Sequence, residues 1–146
     1  MKNIAIYPGS FNPYHIGHEF VVQTALKVFD DVLICRLQNH SKREQERTYT
    51  SSKKRIINDY SSSYSIFDVL GEITGSLLLG NNKFCLIRGI RNGGDLQNEL
   101  AFQYEVQKRT GIPTFNIITS PELSHISSSS IRELARVNQD VSEYLA

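Results

Sequence analysis

The sequence predicts an α/β domain built on a doubly wound, five-stranded parallel sheet with helices on both faces. Three observations lead there. Short apolar runs recur along the chain and stop at polar or glycine-containing turns, as strands buried on both faces do. Stretches with helical spacing or cap signals separate most of these runs. Polar and cationic clusters follow the runs, and parallel sheets hold ligands beyond the carboxyl ends of their strands.

In chain order, Ile4-Ala5-Ile6-Tyr7 is an apolar run that ends at Pro8-Gly9 and reads as the first strand. From Gly17 to Phe29, Phe20, Val21, Ala25, Leu26 and Phe29 suit one face of a helix. Asp31 to Leu37, with Val32-Leu33-Ile34-Cys35 inside it, is the second strand. Thr50 can cap a helix running through Ile56 and Ile57 to about Tyr60. Ser61-Ser62-Ser63 breaks that helix, and Ser65 to Val69 reads as the third strand. Leu70 to Leu79 is ambiguous, because Gly71, Gly75 and Gly80 weaken a helix that its leucines favour. Phe84-Cys85-Leu86-Ile87 is the fourth strand. Asp95 to Arg109 is an amphipathic helix with Leu96, Leu100 and Tyr104 at helical spacing, ended by Gly111 and Pro113. Thr114 to Ile118 is the fifth strand, and Ser127 or Ser128 can cap a last helix carrying Ile131, Leu134 and Ala135. The whole is Rossmann-like, in one domain spanning residues 1–146, without repeat or linker.

A length of 146 residues is enough for a real core without staples. The formal charge of +1 removes the usual signature of a nucleic-acid or membrane-surface binder. No apolar run reaches the length of a membrane span, and the N-terminus has no secretion signal, so a cytoplasmic protein is expected. Cys35 and Cys85 each sit in an apolar run and read as reduced core residues. The near-neutral total hides one bias: residues 42–55 carry six Lys and Arg against two Glu.

Four connections on the ligand edge hold the informative residues. The first strand is followed by Gly9-Ser10-Phe11-Asn12-Pro13-Tyr14-His15-Ile16-Gly17-His18, and the second by Asn39-His40-Ser41-Lys42-Arg43. The fourth is followed by Arg88-Gly89-Ile90-Arg91 and the fifth by His125-Ile126-Ser127-Ser128-Ser129-Ser130. Hydroxyls and backbone N–H groups at helix starts, balanced by cations, are what phosphate recognition needs. His18 can donate to an anion at a helix N-terminus, with His15 beside it. The plainer alternative has one histidine capping the turn and the other solvated. A zinc site on the two would need further ligands. Arg88 and Arg91 can equally pair with Asp95 or Glu99.

With these residues in view, the chain resembles the nucleotidylyltransferase superfamily, and within it the phosphopantetheine adenylyltransferases. The resemblance rests on Tyr7-Pro8-Gly9-Ser10-Phe11-Asn12-Pro13, His15-Ile16-Gly17-His18, Lys42, Ile87-Arg88-Gly89-Ile90-Arg91 and Ile126-Ser127-Ser128-Ser129, in that order over nearly the whole chain. Asp95 and Glu99 match the family's D-x-x-x-E step. Asn12 stands where the family usually has Asp, His15 where Thr is common, and Asn98 where an aromatic residue is usual.

The resemblance implies adenylyl transfer from ATP to 4′-phosphopantetheine, giving dephospho-coenzyme A and pyrophosphate, with Mg2+. Carried over by position, Ser10 and His18 would hold the α-phosphate and its developing charge. Lys42 and Arg91 would orient the acceptor phosphate and neutralise the transition state. Arg88 would lie beside the pantetheine phosphate, with Ser10 and Lys42 also on the acceptor side. Ser127, Ser128 and Ser129 would receive the β- and γ-phosphates, with Phe11, His15, Glu99 and the backbone of Gly89 near the nucleotide. The partners implied are ATP and a phosphorylated small acceptor, and a homo-oligomer is expected, although the chain stops short of the family's further C-terminal helix. Two other readings are a nicotinamide or nicotinate mononucleotide adenylyltransferase and a nucleotide-binding homologue without turnover.

Overall fold

The computed structural model describes residues 1–37, 57–60, 65–77 and 81–146. The strands are β1 (Asn3–Gly9), β2 (Asp31–Leu37), β3 (Ile57–Tyr60), β4 (Lys83–Ile90) and β5 (Thr114–Ile118). The helices are α1 (Ile16–Ala25), α2 (Ile66–Leu77), α3 (Gly93–Thr110) and α4 (Ser128–Arg136), with single 3-10 turns at Pro121–Leu123 and Ser142–Tyr144. All strand pairs are parallel, in the order β3-β2-β1-β4-β5.

Strand β1 is central, and its apolar run is explained by burial on both faces. Ala5 and Tyr7 join a cluster with Val21, Val22 and Ala25 of α1 and with Ile34 and Ile87. Ile6 joins the opposite cluster, with Val69, Leu70 and Ile73 of α2, Val106 of α3, and Cys35 and Leu86. Helices therefore cover both faces. Both cysteines are free thiols; Cys35 is buried, which pushes its thiol up to about 12, and Cys85 is half-buried.

Four strands stand where the sequence places them, and the third does not. Ser65–Val69 belongs to a helix, whose start is marked by Phe67 N donating to Ser65 Oγ at 3.0 Å. Ile66, Val69, Leu70 and Ile73 are all buried, and their spacing is helical once the window extends past Val69. The leucine-rich stretch after it continues α2 to Leu77; Gly71 and Gly75 face open space there. The edge strand is instead Ile57–Tyr60, expected to be helical but held by its ladder to β2, where Ile34 pairs with Ile57 and Leu37 with Tyr60. Thr50, the expected cap of that helix, lies outside the described residues.

Helix α3 exists as expected but is turned the other way. Leu96, Leu100 and Tyr104 lie 41%, 60% and 64% exposed, and Val106 is its buried residue. Its C-terminus is closed by Gly111 at φ 73°, a left-handed conformation that suits glycine.

The strand order reverses direction between β1 and β4. Parallel sheets open a crevice at the carboxyl ends of such a pair. The β1–α1 loop, the end of β4 and the start of α4 meet there.

Candidate active site

The crevice is a cavity of about 400 Å³. Its walls include Ser10, Phe11, His15, His18, Arg88, Gly89, Arg91, Glu99, Ser127, Ser128 and Ser129. Every site residue expected from the sequence is therefore gathered in one place except Lys42, which lies outside the described residues. Asp95, Asn98, Thr119 and Leu123 also line it.

The two histidines are organised by the start of α1. His15 is its N-cap, with extended backbone, and its Nδ1 accepts from Gly17 N at 3.1 Å and His18 N at 3.4 Å. His18 Nδ1 in turn accepts from His15 N at 3.1 Å. A ring nitrogen that accepts cannot carry the proton, so both rings hold theirs on Nε2. The rings stack at 3.7 Å between centroids. Phe11 meets the His18 ring edge-on at 4.9 Å, and Tyr14 stacks on it at 5.4 Å. Burial, then His15 and Arg91, holds the His18 imidazole well below its ordinary range. Burial, then Arg91, pushes His15 down to about 4. Both are neutral at physiological pH. The capping alternative is thus correct for His15, while His18 is a neutral Nε2–H donor at the cavity wall.

Gly17 is required by this packing. A Cβ there would stand 2.9 Å from Cε1 and 3.0 Å from Nδ1 of His15. Gly89 is required by another: its Cβ would meet Val21 Cγ2 at 2.8 Å, so β4 and α1 approach closely behind the cavity.

The arginines are held in place by the carboxylates anticipated as their partners. Arg88 donates to both oxygens of Glu99, at 2.9 and 2.6 Å, and to the Pro8 carbonyl at 3.0 Å. Its guanidinium lies over the Phe102 ring at 5.2 Å. Arg91 donates through Nε and a terminal nitrogen to Asp95, at 3.0 and 3.2 Å, and reaches the Ile126 carbonyl. Burial alone would raise the Asp95 carboxyl; hydrogen bonds from the Arg91 side chain and backbone, and its charge, hold it below the usual range. Bidentate pairing fixes where each cation points. The spacing of Arg91 and Asp95, four residues apart, was the available signal for that pair.

At the other wall, Ser127 caps α4 by accepting from Ser130 N at 3.2 Å, and Ser130 Oγ accepts in return from Ser127 N at 3.3 Å. Ser128 behaves differently: its hydroxyl donates to the Pro13 carbonyl at 2.9 Å. A buried Arg132, one turn later, donates to the Asn12 carbonyl. No local pattern announces this contact, because Arg132 and Asn12 are 120 residues apart.

Comparison with known proteins agrees with this geometry. The cytidylyltransferase-like family model matches residues 6–134. A phosphopantetheine adenylyltransferase of Porphyromonas gingivalis is 36% identical, over 99% of this chain and 94% of its own length. One from Cytophaga hutchinsonii is 35% identical, over 99% of this chain and 97% of its own. Among solved structures, a putative nicotinate-nucleotide adenylyltransferase from Vibrio parahaemolyticus superposes with a TM-score of 0.67 at 20% identity, covering 100% of this chain and 94% of that one. A nicotinic acid mononucleotide adenylyltransferase of Plasmodium falciparum gives 0.67 at 16% identity, covering 99% and 90%. The structures share the fold, and the sequence relatives narrow it: the chain belongs to the cytidylyltransferase-like family, on its phosphopantetheine adenylyltransferase branch.

Proposed function

We infer that this enzyme transfers the adenylyl group of ATP to 4′-phosphopantetheine, forming dephospho-coenzyme A and releasing pyrophosphate. The observation that carries the mechanism is His18, locked as a neutral Nε2–H donor on the wall of the cavity at the start of α1. A phosphate acceptor is already a nucleophile. Its oxygen attacks the α-phosphorus, and the bond to the pyrophosphate oxygen breaks. The protein must supply placement and charge stabilisation rather than a nucleophile of its own.

His18 and Ser10 are assigned to the α-phosphate, where charge builds up on the non-bridging oxygens. A neutral donor fixed before substrate arrives needs no reorganisation in the transition state. Arg91 is assigned to the phosphates with its orientation set by Asp95, and Arg88 to the acceptor phosphate with its orientation set by Glu99. Lys42 is assigned to the acceptor and transition state. Ser127 and Ser129 are assigned to the β- and γ-phosphates at the α4 start, where N–H groups and the helix dipole favour anions. Phe11, His15, Glu99 and the Gly89 backbone complete the nucleotide side.

Mg2+ is proposed to enter with ATP. Among the described residues no cluster of three or more His, Cys, Asp or Glu is placed to cage a cation. Asp95 and Glu99 are engaged by arginines. That donor set suits an ion held by phosphates and water, not a resident one. When bound, Mg2+ offsets triphosphate charge.

No helix among the described residues is long and apolar enough to cross a membrane. We propose a cytoplasmic location on that basis and on the free cysteines.

The test is pyrophosphate release from ATP with each acceptor. Release is expected with 4′-phosphopantetheine. Release with nicotinamide or nicotinate mononucleotide only would overturn the acceptor, and ATP binding without release would indicate a silent homologue. His18→Ala is expected to fold and to lose at least about 100-fold in turnover, the scale of one transition-state donor. Unchanged turnover would remove His18 from the mechanism.

A further inference from the structure

Ser128 and Arg132 lie one helical turn apart on α4, and so on one face of it. They donate to two consecutive carbonyls of the β1–α1 loop, Ser128 to Pro13 and Arg132 to Asn12. The next residues are Tyr14, whose ring stacks on His18, and His15, whose Nδ1 caps α1. A second restraint comes from the same end of the chain. Leu145 forms an antiparallel bridge with His15, and Ala146, 1% exposed, sits in the cluster that holds Phe11 and Tyr14. Residues 12 to 15 are thus gripped from the last twenty residues of the chain.

A buried guanidinium is costly unless well bonded, and an arginine spent on a backbone carbonyl cannot be explained by surface solvation. On the reading of His18 given above, we propose that Arg132, assisted by Ser128, is a positioning residue: it anchors the Asn12–Pro13 backbone to α4 and thereby fixes the His15–His18 pair relative to the serines that begin the same helix. One rigid element then carries the Ser127 and Ser129 hydroxyls at its tip and sets the histidine motif from its flank. Ser128 accordingly belongs to the clamp rather than to the phosphate ligands. A misplacement of about 1 Å at a reacting group can cost on the order of 100-fold, so such a brace has a kinetic consequence.

The experiment compares wild type with Arg132→Met, Arg132→Lys and Ser128→Ala, by steady-state kinetics and by ¹⁵N NMR of the histidine rings. Arg132→Met is expected to lower kcat roughly ten- to a hundredfold while KM for ATP stays within about twofold. His18 ring signals should shift, because the hydrogen bond from His15 N to its Nδ1 loosens. Arg132→Lys should restore most of both. If Arg132→Met does not fold, Ser128→Ala, which removes one oxygen, carries the same comparison with a smaller loss. A folded Arg132→Met with wild-type kcat and unchanged His18 signals would overturn the clamp. So would a raised KM for ATP with kcat intact, since Arg132 would then be a triphosphate ligand. If wild type releases no pyrophosphate with 4′-phosphopantetheine, the acceptor assignment fails on its own, and the ring signals still decide the clamp.

Discussion

His15 does two jobs with one ring. It caps α1 through Nδ1, as a Ser, Thr, Asp or Asn would, and it stacks on His18. Its cost appears in acid. Its folded value of about 4 lies below the ordinary 6.5, so the unfolded chain takes up the proton first. Stability from this group is complete above about pH 6.5 and falls as pH drops toward 4, by up to roughly 3 kcal/mol. His18 is shifted in the same direction and adds to the slope. Thermal melts should therefore show Tm falling between pH 7 and pH 5. His15→Thr keeps a capping oxygen and should fold with a visibly shallower pH dependence. An equal slope in that variant would mean that His15 takes up its proton at the same pH in the folded and unfolded chain.

At the scale of elements, the site depends on how closely β4 and α1 approach. Gly89 has no room for a side chain because Val21 is behind it, and Val21 is 2% exposed. Gly89→Ala should push α1 off the sheet and cost about 2 kcal/mol, the scale of overpacking, as read from denaturant midpoints. Because His18 rides on the first turn of α1, turnover should fall as well. A wild-type midpoint would show that the gap closes without strain. Element boundaries were legible where the signal is local. Gly111 after α3 and Ser127 before α4 end and begin their helices as their chemistry predicts. The edge strand was not legible, because Ile57–Tyr60 is a strand only through its hydrogen bonds to β2. Ser65–Val69 reads as a strand although α2 begins within it, because five residues of a buried helix and of a buried strand look alike.

For the molecule as a whole, α3 presents an apolar face to the outside. Leu96, Leu100 and Tyr104 form a stripe at i, i+4, i+8 that the sheet does not cover. The homo-oligomer expected from the family resemblance is proposed to use it. Leu100→Glu should leave the fold intact and shift the mass by light scattering from an oligomer to a monomer. An unchanged oligomer mass would place the interface elsewhere.

The sequence alone determined what depends on near neighbours: the α/β class, four of the strands, the Gly111 and Ser127 caps, and the grouping of Ser10, His18, Arg88, Arg91 and Ser127 to Ser129 on one edge. Turn chemistry and periodicity act over a few residues and can be read along the chain. Only the tertiary structure decided which way α3 turns its leucines, which residues form the edge strand, and that Glu99 rather than Asp95 is the partner of Arg88. It also decided that Arg132 and Leu145 brace the histidine motif from the far end of the chain. Those choices rest on contacts between residues 11 to 130 positions apart, whose strength depends on burial and alignment that no local pattern encodes.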